Sequence, residues 1–253
     1  AGKARVTADY VTDKSACASL ASNAKDVCME QAKAKEQVSS AELEYNYSGN
    51  ASDWTKLLVT KAETTYAALA SVLTGKVNPS GKLPVTFPAR SEDDMVNLKG
   101  AKTPYSEGLL VGYRGYVAKG VKPLFPFGHG LSYTSFAYSA LSAPARVKGG
   151  ELVSAKLTLR NTGKRAGKEV VQIYVAPLAP AAGDPPIALR GFAKVDLAAG
   201  ARRTVSVTLD PRAFSQFDAE QGKWHVVPGR YRIMAGSSSA DIRQQREIDV
   251  TAD

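Results

Sequence analysis

From about Leu141 to the C-terminus the chain reads as short alternating segments separated by turn signals. "ELVSAKLTLRNTG" alternates, with Leu152, Ala155, Leu157 and Leu159 as its expected inward positions. "KEVVQIYVAP", "ALRGFAKVDLAAG", "ARRTVSVTLD", "FSQFDAEQGKWHVVPG", "GRYRIMAGSSS" and "REIDVTA" follow at a spacing of roughly 8–12 residues, which is the rhythm of a two-sheet sandwich. In "PGRYRIMAG" a turn precedes Tyr231, Ile233 and Ala235, which a strand places on one face. The remaining 140 residues cannot share this architecture, because their pattern changes twice.

Residues 3–45 are rich in Ala, Lys, Glu and Gln and hold neither Pro nor Gly, which is helix composition. A long polar helix is expected over Asp26–Glu44, broken by "YNYSGNASDW". A second is expected over about Ser52–Leu73, capped by Ser52 or Asp53, with Leu57, Leu58, Ala62, Tyr66, Leu69, Val72 and Leu73 at helical spacing. Cys17 and Cys28 would stand roughly 16 Å apart on one unbroken helix, too far for a disulfide. A bridge therefore needs a turn, which "ASNAKD" can supply with Asn23 as cap and Asp26 in the next first turn. Two readings stand: a disulfide-closed helical hairpin in an oxidising compartment, or two free buried thiols.

After Gly75 the chain is punctuated by Pro and Gly. "VNPSGKLPVTFP" holds a short extended run, "SEDDMVNLKGAKTP" reads as an exposed loop, and "YSEGLLVGYRGY" is compact and apolar. "KPLFPFGHGLSYTSFAYS" reads as packed irregular backbone. The expected organisation is thus α+β and multidomain: a helical arm (1–66), a short α/β segment with linker (67–140), and an Ig-like or fibronectin-III-like β-sandwich (141–253).

Several function classes find no support. No apolar run reaches the roughly 18–20 residues of a membrane-spanning helix. No secretion leader is recognisable in "AGKARVTADY". The net charge of +9 is spread over strand-like segments such as "RRTVSVTL", the pattern of a solvated sheet face and not of a nucleic-acid stripe. Cys-x₁₀-Cys without a nearby His is no zinc pattern, and no metal or organic cofactor is implied. "GKVNPSGK" departs from the phosphate-loop spacing, and Pro79 removes a backbone donor. His129 and His225 stand far apart without a Gly-x-Ser-x-Gly elbow.

The segments "VLTGKVNPSGKLPVTFP" (72–88), "YSEGLLVGYRGY" (105–116) and "PLFPFGHGLSYTSFAYS" (123–139) together resemble the C-terminal part of glycoside hydrolase family 3, the β-glucosidase and β-xylosidase family. "EVVQIYVAP" (169–177), "LRGFAKVDLAAG" (189–200) and "FDAEQGKWHVVPGRYRIMAGSSS" (217–239) resemble that family's fibronectin-III-like domain. The resemblance spans about residues 68–250. It implies hydrolysis of terminal β-D-glucosides by two carboxyl groups. It also implies an order of barrel with the nucleophilic Asp, α/β sandwich with the acid/base Glu, and fibronectin-like domain last. Here only the tail of the α/β sandwich and the last domain are expected, without the catalytic barrel. Residues 1–66 instead resemble short helical proteins of the proteobacterial periplasm through "LASNAKDVC", with a junction near Ala67. A periplasmic or secreted location follows from this resemblance and the cysteine pair.

Retaining glycosidases hold their two carboxyl groups roughly 5–5.5 Å apart. Asp53 is a candidate nucleophile because "SDW" resembles the family's nucleophile motif; the other reading is a helix cap. Glu107 in "YSEG" is the second candidate; with Arg114 it can instead form a structural ion pair or loop-pinning hydrogen bonds. Glu92, Asp93 and Asp94 read as solvated loop charge, or as a crowded pair that raises one carboxyl's pKa. Trp54, Arg114 and His129 are candidate substrate contacts, with His129 otherwise a packed turn residue. Tyr105, Tyr113, Tyr116, Phe125, Phe127 and Trp224 carry faces that can stack on a sugar, although Phe125, Phe127 and Trp224 are expected in the core. The expected partners are a β-glucoside or other glycan and a second copy of the chain, joined through exposed α/β surface or the N-terminal helices.

Overall fold

The computed structural model describes residues 2–19, 22–93 and 107–252. They form two compact units, residues 1–78 and 79–253.

The first unit is three helices: α1 (Gly2–Ala16), α2 (Ser22–Ser48) and α3 (Ala51–Leu73), with α2 packed against both others. Cys17 and Cys28 are bridged, with Cα atoms 5.5 Å apart, so the hairpin reading holds. The bond is compatible with an extracellular or periplasmic location. The α2 helix already begins at Ser22, before the expected Asn23 cap; the side chains of Asn23 and Asp26 lie outside the described residues. At α3 the cap is Asn50, not Ser52 or Asp53: its side chain accepts the Asp53 N–H at 2.8 Å. Of the expected apolar stripe on α3 only Leu57 is buried, while Leu58, Tyr66, Leu69 and Leu73 are exposed. Three ion pairs tie neighbouring helices at the surface, Lys35–Asp13, Lys56–Glu44 and Lys61–Glu42. Exposed pairs of this kind contribute little each, so the disulfide is the principal staple of this unit.

The second unit centres on a sandwich. One sheet runs β1 (Phe136–Ser142), β3 (Val153–Asn161), β6 (Arg202–Leu209). The other runs β2 (Arg146–Lys148), β10 (Asp241–Thr251), β9 (Gly229–Ser238), β4 (Gly167–Pro177), β5 (Ala188–Leu197). A hairpin of β7 (Ser215–Asp218) and β8 (Lys223–Val226) stands apart. Val153, Ala155, Leu157 and Leu159 of β3 face Ile173, Ile233, Ala235 and Val250 across a dry core. Leu152, expected inward, precedes β3 and is exposed; Val153 takes its place. The first strand starts at Phe136, so the end of "YTSFAYS" is regular strand, not irregular backbone. Tyr231, Ile233 and Ala235 share the core face as expected.

One strand departs from half-buried alternation. Residues 171–176 of β4 are buried without interruption. Val171, Ile173 and Val175 belong to the sandwich core, whereas Tyr174 and Ala176 join Ile187 and Met234 in a second cluster, with Tyr113 and Phe127 packed against it. A strand buried on both faces needs a second covering layer. Tyr113 and Phe127, from the described residues 107–130, supply it.

The hinge between β9 and β10 carries a partly buried Asp241. Arg243 donates to it at 2.7 Å, Ser237 also donates, and Arg243 further reaches the Phe136 carbonyl at 2.6 Å. The Arg243 guanidinium holds the Asp241 carboxyl below its ordinary pKa. A depressed carboxyl stabilises the fold above its unfolded pKa, and this is lost as pH falls through the folded value. We therefore expect Asp241→Asn to lower stability by roughly 0.5–1 kcal/mol at neutral pH, discounted for its exposure, and by less at an acid pH below the ordinary carboxylate range. Urea unfolding at both pH values checks this.

Candidate functional site

Four prolines, Pro84, Pro88, Pro123 and Pro126, deny residues 82–88 and 123–129 a regular ladder. The two stretches still cross-link. The Leu83 N–H donates to the His129 carbonyl, the Gly128 N–H to Leu83 and the Phe87 N–H to Phe125, each at 2.8 Å. They are fastened to the sandwich at three points. Gln172, 3% exposed on the back face of β4, donates to the carbonyls of Gly128 and Ser237 and accepts from the Tyr174 hydroxyl at 2.6 Å. Gly128 has a φ of +80°, and a Cβ there would overlap the Gln172 amide, so this position needs glycine twice over. The Ser239 N–H donates to Phe127 at 2.9 Å. Finally, Lys82 meets Glu169 at 2.8 Å, with their side chains only 15% and 8% exposed. The Tyr138 hydroxyl is buried without a hydrogen-bond partner; burial and the nearby Glu169 carboxylate hold its pKa well above the ordinary phenol value.

A short helix, α4 (Tyr113–Lys119), starts at Gly112 and ends at left-handed Gly120. It places Tyr113 in stacked contact with Phe127, centroids 4.7 Å apart, and edge-on to Tyr174 at 6.0 Å. The Tyr113 hydroxyl accepts the Leu189 N–H at 2.7 Å. Beside this aromatic knot lies a shallow cleft of about 200 Å³, lined by Thr86, Tyr113, Tyr116, Val121, Pro126 and Ser239 among others. The Thr86 hydroxyl is buried there without a partner. Among the described residues its lining holds no carboxylate, so the paired carboxyl groups of a retaining glycosidase are not assembled there.

The residues expected to act on a substrate are distributed as follows. Asp53 sits in the first unit at the start of α3, and its carboxylate accepts from Ser48 and from the Asn50 amide at 3.0 Å, the chemistry of a helix start. Trp54 is half exposed and packs on Tyr45 at 4.9 Å. Glu107 lies in the second unit on a turn whose carbonyl accepts the Leu110 N–H. Among the described residues no ion pair joins Glu107 to Arg114, so the expected pair is absent; Arg114 lies over the Tyr113 ring at 6.0 Å instead. His129 is half-buried and packs on Phe125 at 5.3 Å. Asp93 is held by Arg90 through two contacts of 3.1 Å, which lower its carboxyl pKa; the crowded-pair alternative for Asp93 does not hold. Asp94 and Tyr105 lie outside the described residues. Phe125 and Trp224 are 41% and 48% exposed and do not belong to the core; Phe125 packs edge-on to Phe87, and Trp224 against Phe217. Among the described residues no group of His, Cys, Asp and Glu is arranged to hold a metal ion. No helix is long and apolar enough to cross a membrane. Sequence reasoning missed Lys82, Glu169 and Gln172; the one available signal was Gln172, a lone amide inside the apolar run "VVQIYV".

Residues 12–133 match the model of the glycosyl hydrolase family 3 C-terminal domain, and residues 169–239 match that of the fibronectin type III-like domain. The chain carries the C-terminal domains of glycoside hydrolase family 3. The family-3 match reaches back to residue 12, into the helical unit that "LASNAKDVC" had set apart. Among relatives, the thermostable β-glucosidase B of Acetivibrio thermocellus is 44% identical over 190 residues, covering 73% of this chain and 25% of its own. The β-glucosidase BoGH3A of Bacteroides ovatus is 38% identical over 214 residues, 78% of this chain and 28% of its own. The crystal structure of DesR, a β-glucosidase from Streptomyces venezuelae in complex with D-glucose, superposes with a TM-score of 0.68 at 43% identity, covering 73% of this chain and 24% of DesR. The chain thus spans about a quarter of the length of the relatives it matches.

Proposed function

We propose that this chain serves as the C-terminal portion of a β-glucosidase-type hydrolase acting on terminal β-D-glucosides, and that its own described residues are supporting and not catalytic. The observation that carries this reading is the identity of 38–44% to two β-glucosidases over a quarter of their length. Two local facts agree. The Asp53 carboxylate is engaged in starting α3, and the cleft beside α4 offers no carboxylate. On this reading residues 67–140 are the tail of the family's α/β sandwich and 141–253 its last domain. The Cys17–Cys28 disulfide supports a periplasmic or secreted location. The exposed apolar residues of α3 support self-association as a second role.

The test is turnover of a chromogenic β-glucoside by the purified chain, by Asp53→Asn and by Glu107→Gln. The expected rate is that of buffer for all three. Hydrolysis that either substitution abolishes would show a two-carboxylate site within these residues and overturn the supporting role.

A further inference from the structure

The pairing of β4 with β5 contains a bulge. Ile173 pairs with Gly191, but the next residue, Tyr174, pairs with Leu189, so Arg190 is an extra residue with no partner across the ladder. Bulges bend a strand and re-aim a side chain, and they recur beside binding sites. Here the bulge frees the Leu189 N–H for the Tyr113 hydroxyl and turns β5 towards α4. The next residue of α4 is Arg114, whose guanidinium lies over the Tyr113 ring. Two half-buried arginines thereby adjoin one contact: Arg114 follows Tyr113, and Arg190 follows the Leu189 whose N–H the Tyr113 hydroxyl accepts.

Neither arginine forms an ion pair among the described residues, and the Arg190 Nε is buried with no acceptor. Burial and the Arg114 charge push the Arg190 guanidinium below its ordinary pKa. A guanidinium cannot shed its proton in the accessible pH range, so such crowding is relieved only by a counter-charge. The carboxylate of Asp184 accepts the Ala181 N–H and the Gln216 amide on one oxygen and is not ion-paired with either arginine among the described residues.

We propose that Arg114 and Arg190 form a binding site for an oxyanion, a phosphate or a carboxylate, held by charge-assisted hydrogen bonds from the two guanidinium groups. The planar forks suit a group with two or three coplanar or tetrahedral oxygens and not a simple halide. The site is independent of glycoside hydrolysis.

The test is a titration of the whole chain with inorganic phosphate and, separately, acetate, against sodium chloride at matched ionic strength, read by thermal unfolding. Matching removes general screening. A saturable rise in Tm with phosphate marks a free-phosphate site, and one with acetate marks a carboxylate site. Either supports the proposal if Arg190→Met and Arg114→Met each weaken half-saturation by about tenfold or more. In oxyanion-free buffer Arg190→Met should unfold at or above the wild-type temperature, because a like-charge contact has gone. The proposal is overturned if chloride reproduces the shift, if both variants keep it, or if Arg190→Met is strongly destabilised without any anion. That last result would mean the guanidinium already has a structural acceptor.

Discussion

Replacing Asn161 with Leu is expected to cost the sandwich about 3–5 kcal/mol, although the substitution is close in volume. Asn161 is fully buried at the end of β3. Its amide donates to the Arg165 carbonyl at 2.7 Å and the Leu197 carbonyl at 3.1 Å. Its oxygen accepts from the Thr134 hydroxyl at 2.6 Å and the Gly163 N–H at 3.0 Å. One side chain therefore satisfies groups from the lead-in to β1, the β3–β4 turn and the end of β5. Leu removes these hydrogen bonds, and where the group is buried, as the Leu197 carbonyl is, the loss costs about 1–3 kcal/mol. Thr134→Val removes a single bond and should cost about 1 kcal/mol. Urea unfolding followed by circular dichroism measures both. A loss below about 1 kcal/mol for Asn161→Leu would show that water reaches these groups and that the network is not a structural keystone.

The second large effect concerns Lys82 and Glu169. Glu169→Leu strands the Lys82 ammonium in a setting where its side chain is only 15% exposed, and the expected cost is about 3–5 kcal/mol. Lys82→Met should cost a similar amount, since it takes the nearest cation from a carboxylate that also accepts the Val170 N–H at 3.0 Å. The double variant should return to within about 1 kcal/mol of wild type, because an apolar pair avoids the desolvation of both charges. Additive losses in the double-mutant cycle would instead mean that each side chain acts through separate contacts.

What was legible in the sequence follows the range of the interactions. The inward set Ala155, Leu157 and Leu159 could be read because alternation is local to one strand. For Cys17 and Cys28 the sequence showed only that a bridge needs a turn, because helix rise excludes it on one unbroken helix; the structure decides for the bond over free thiols. The cap of α3 was misplaced because "YSGNASD" offers four residues with capping chemistry, and only the backbone turn at Gly49 selects Asn50. The back face of β4 was illegible. Gln172, Tyr174 and Glu169 take their roles from Gly128, Tyr113 and Lys82, which lie 44 to 87 positions away along the chain, and no periodicity reports such pairings. The bulge at Arg190 is likewise a property of two strands together. For the candidate site, the family motifs located the segments correctly, but the candidate carboxylates were chosen by motif likeness. Asp53 turned out to answer a helix start, and Glu107 a turn.

The account rests on residues 82–88 and 123–129 being a built layer of the second unit, clamped to β4, and not a loose tail beside a self-sufficient sandwich. Amide hydrogen exchange of the intact chain tests this most directly. The amides of Leu83, Phe87 and Gly128 should exchange as slowly as those of β4 and should gain rate together with it in Lys82→Met. Exchange of residues 82–88 and 123–129 at unstructured-chain rates, with β4 still protected, would contradict it.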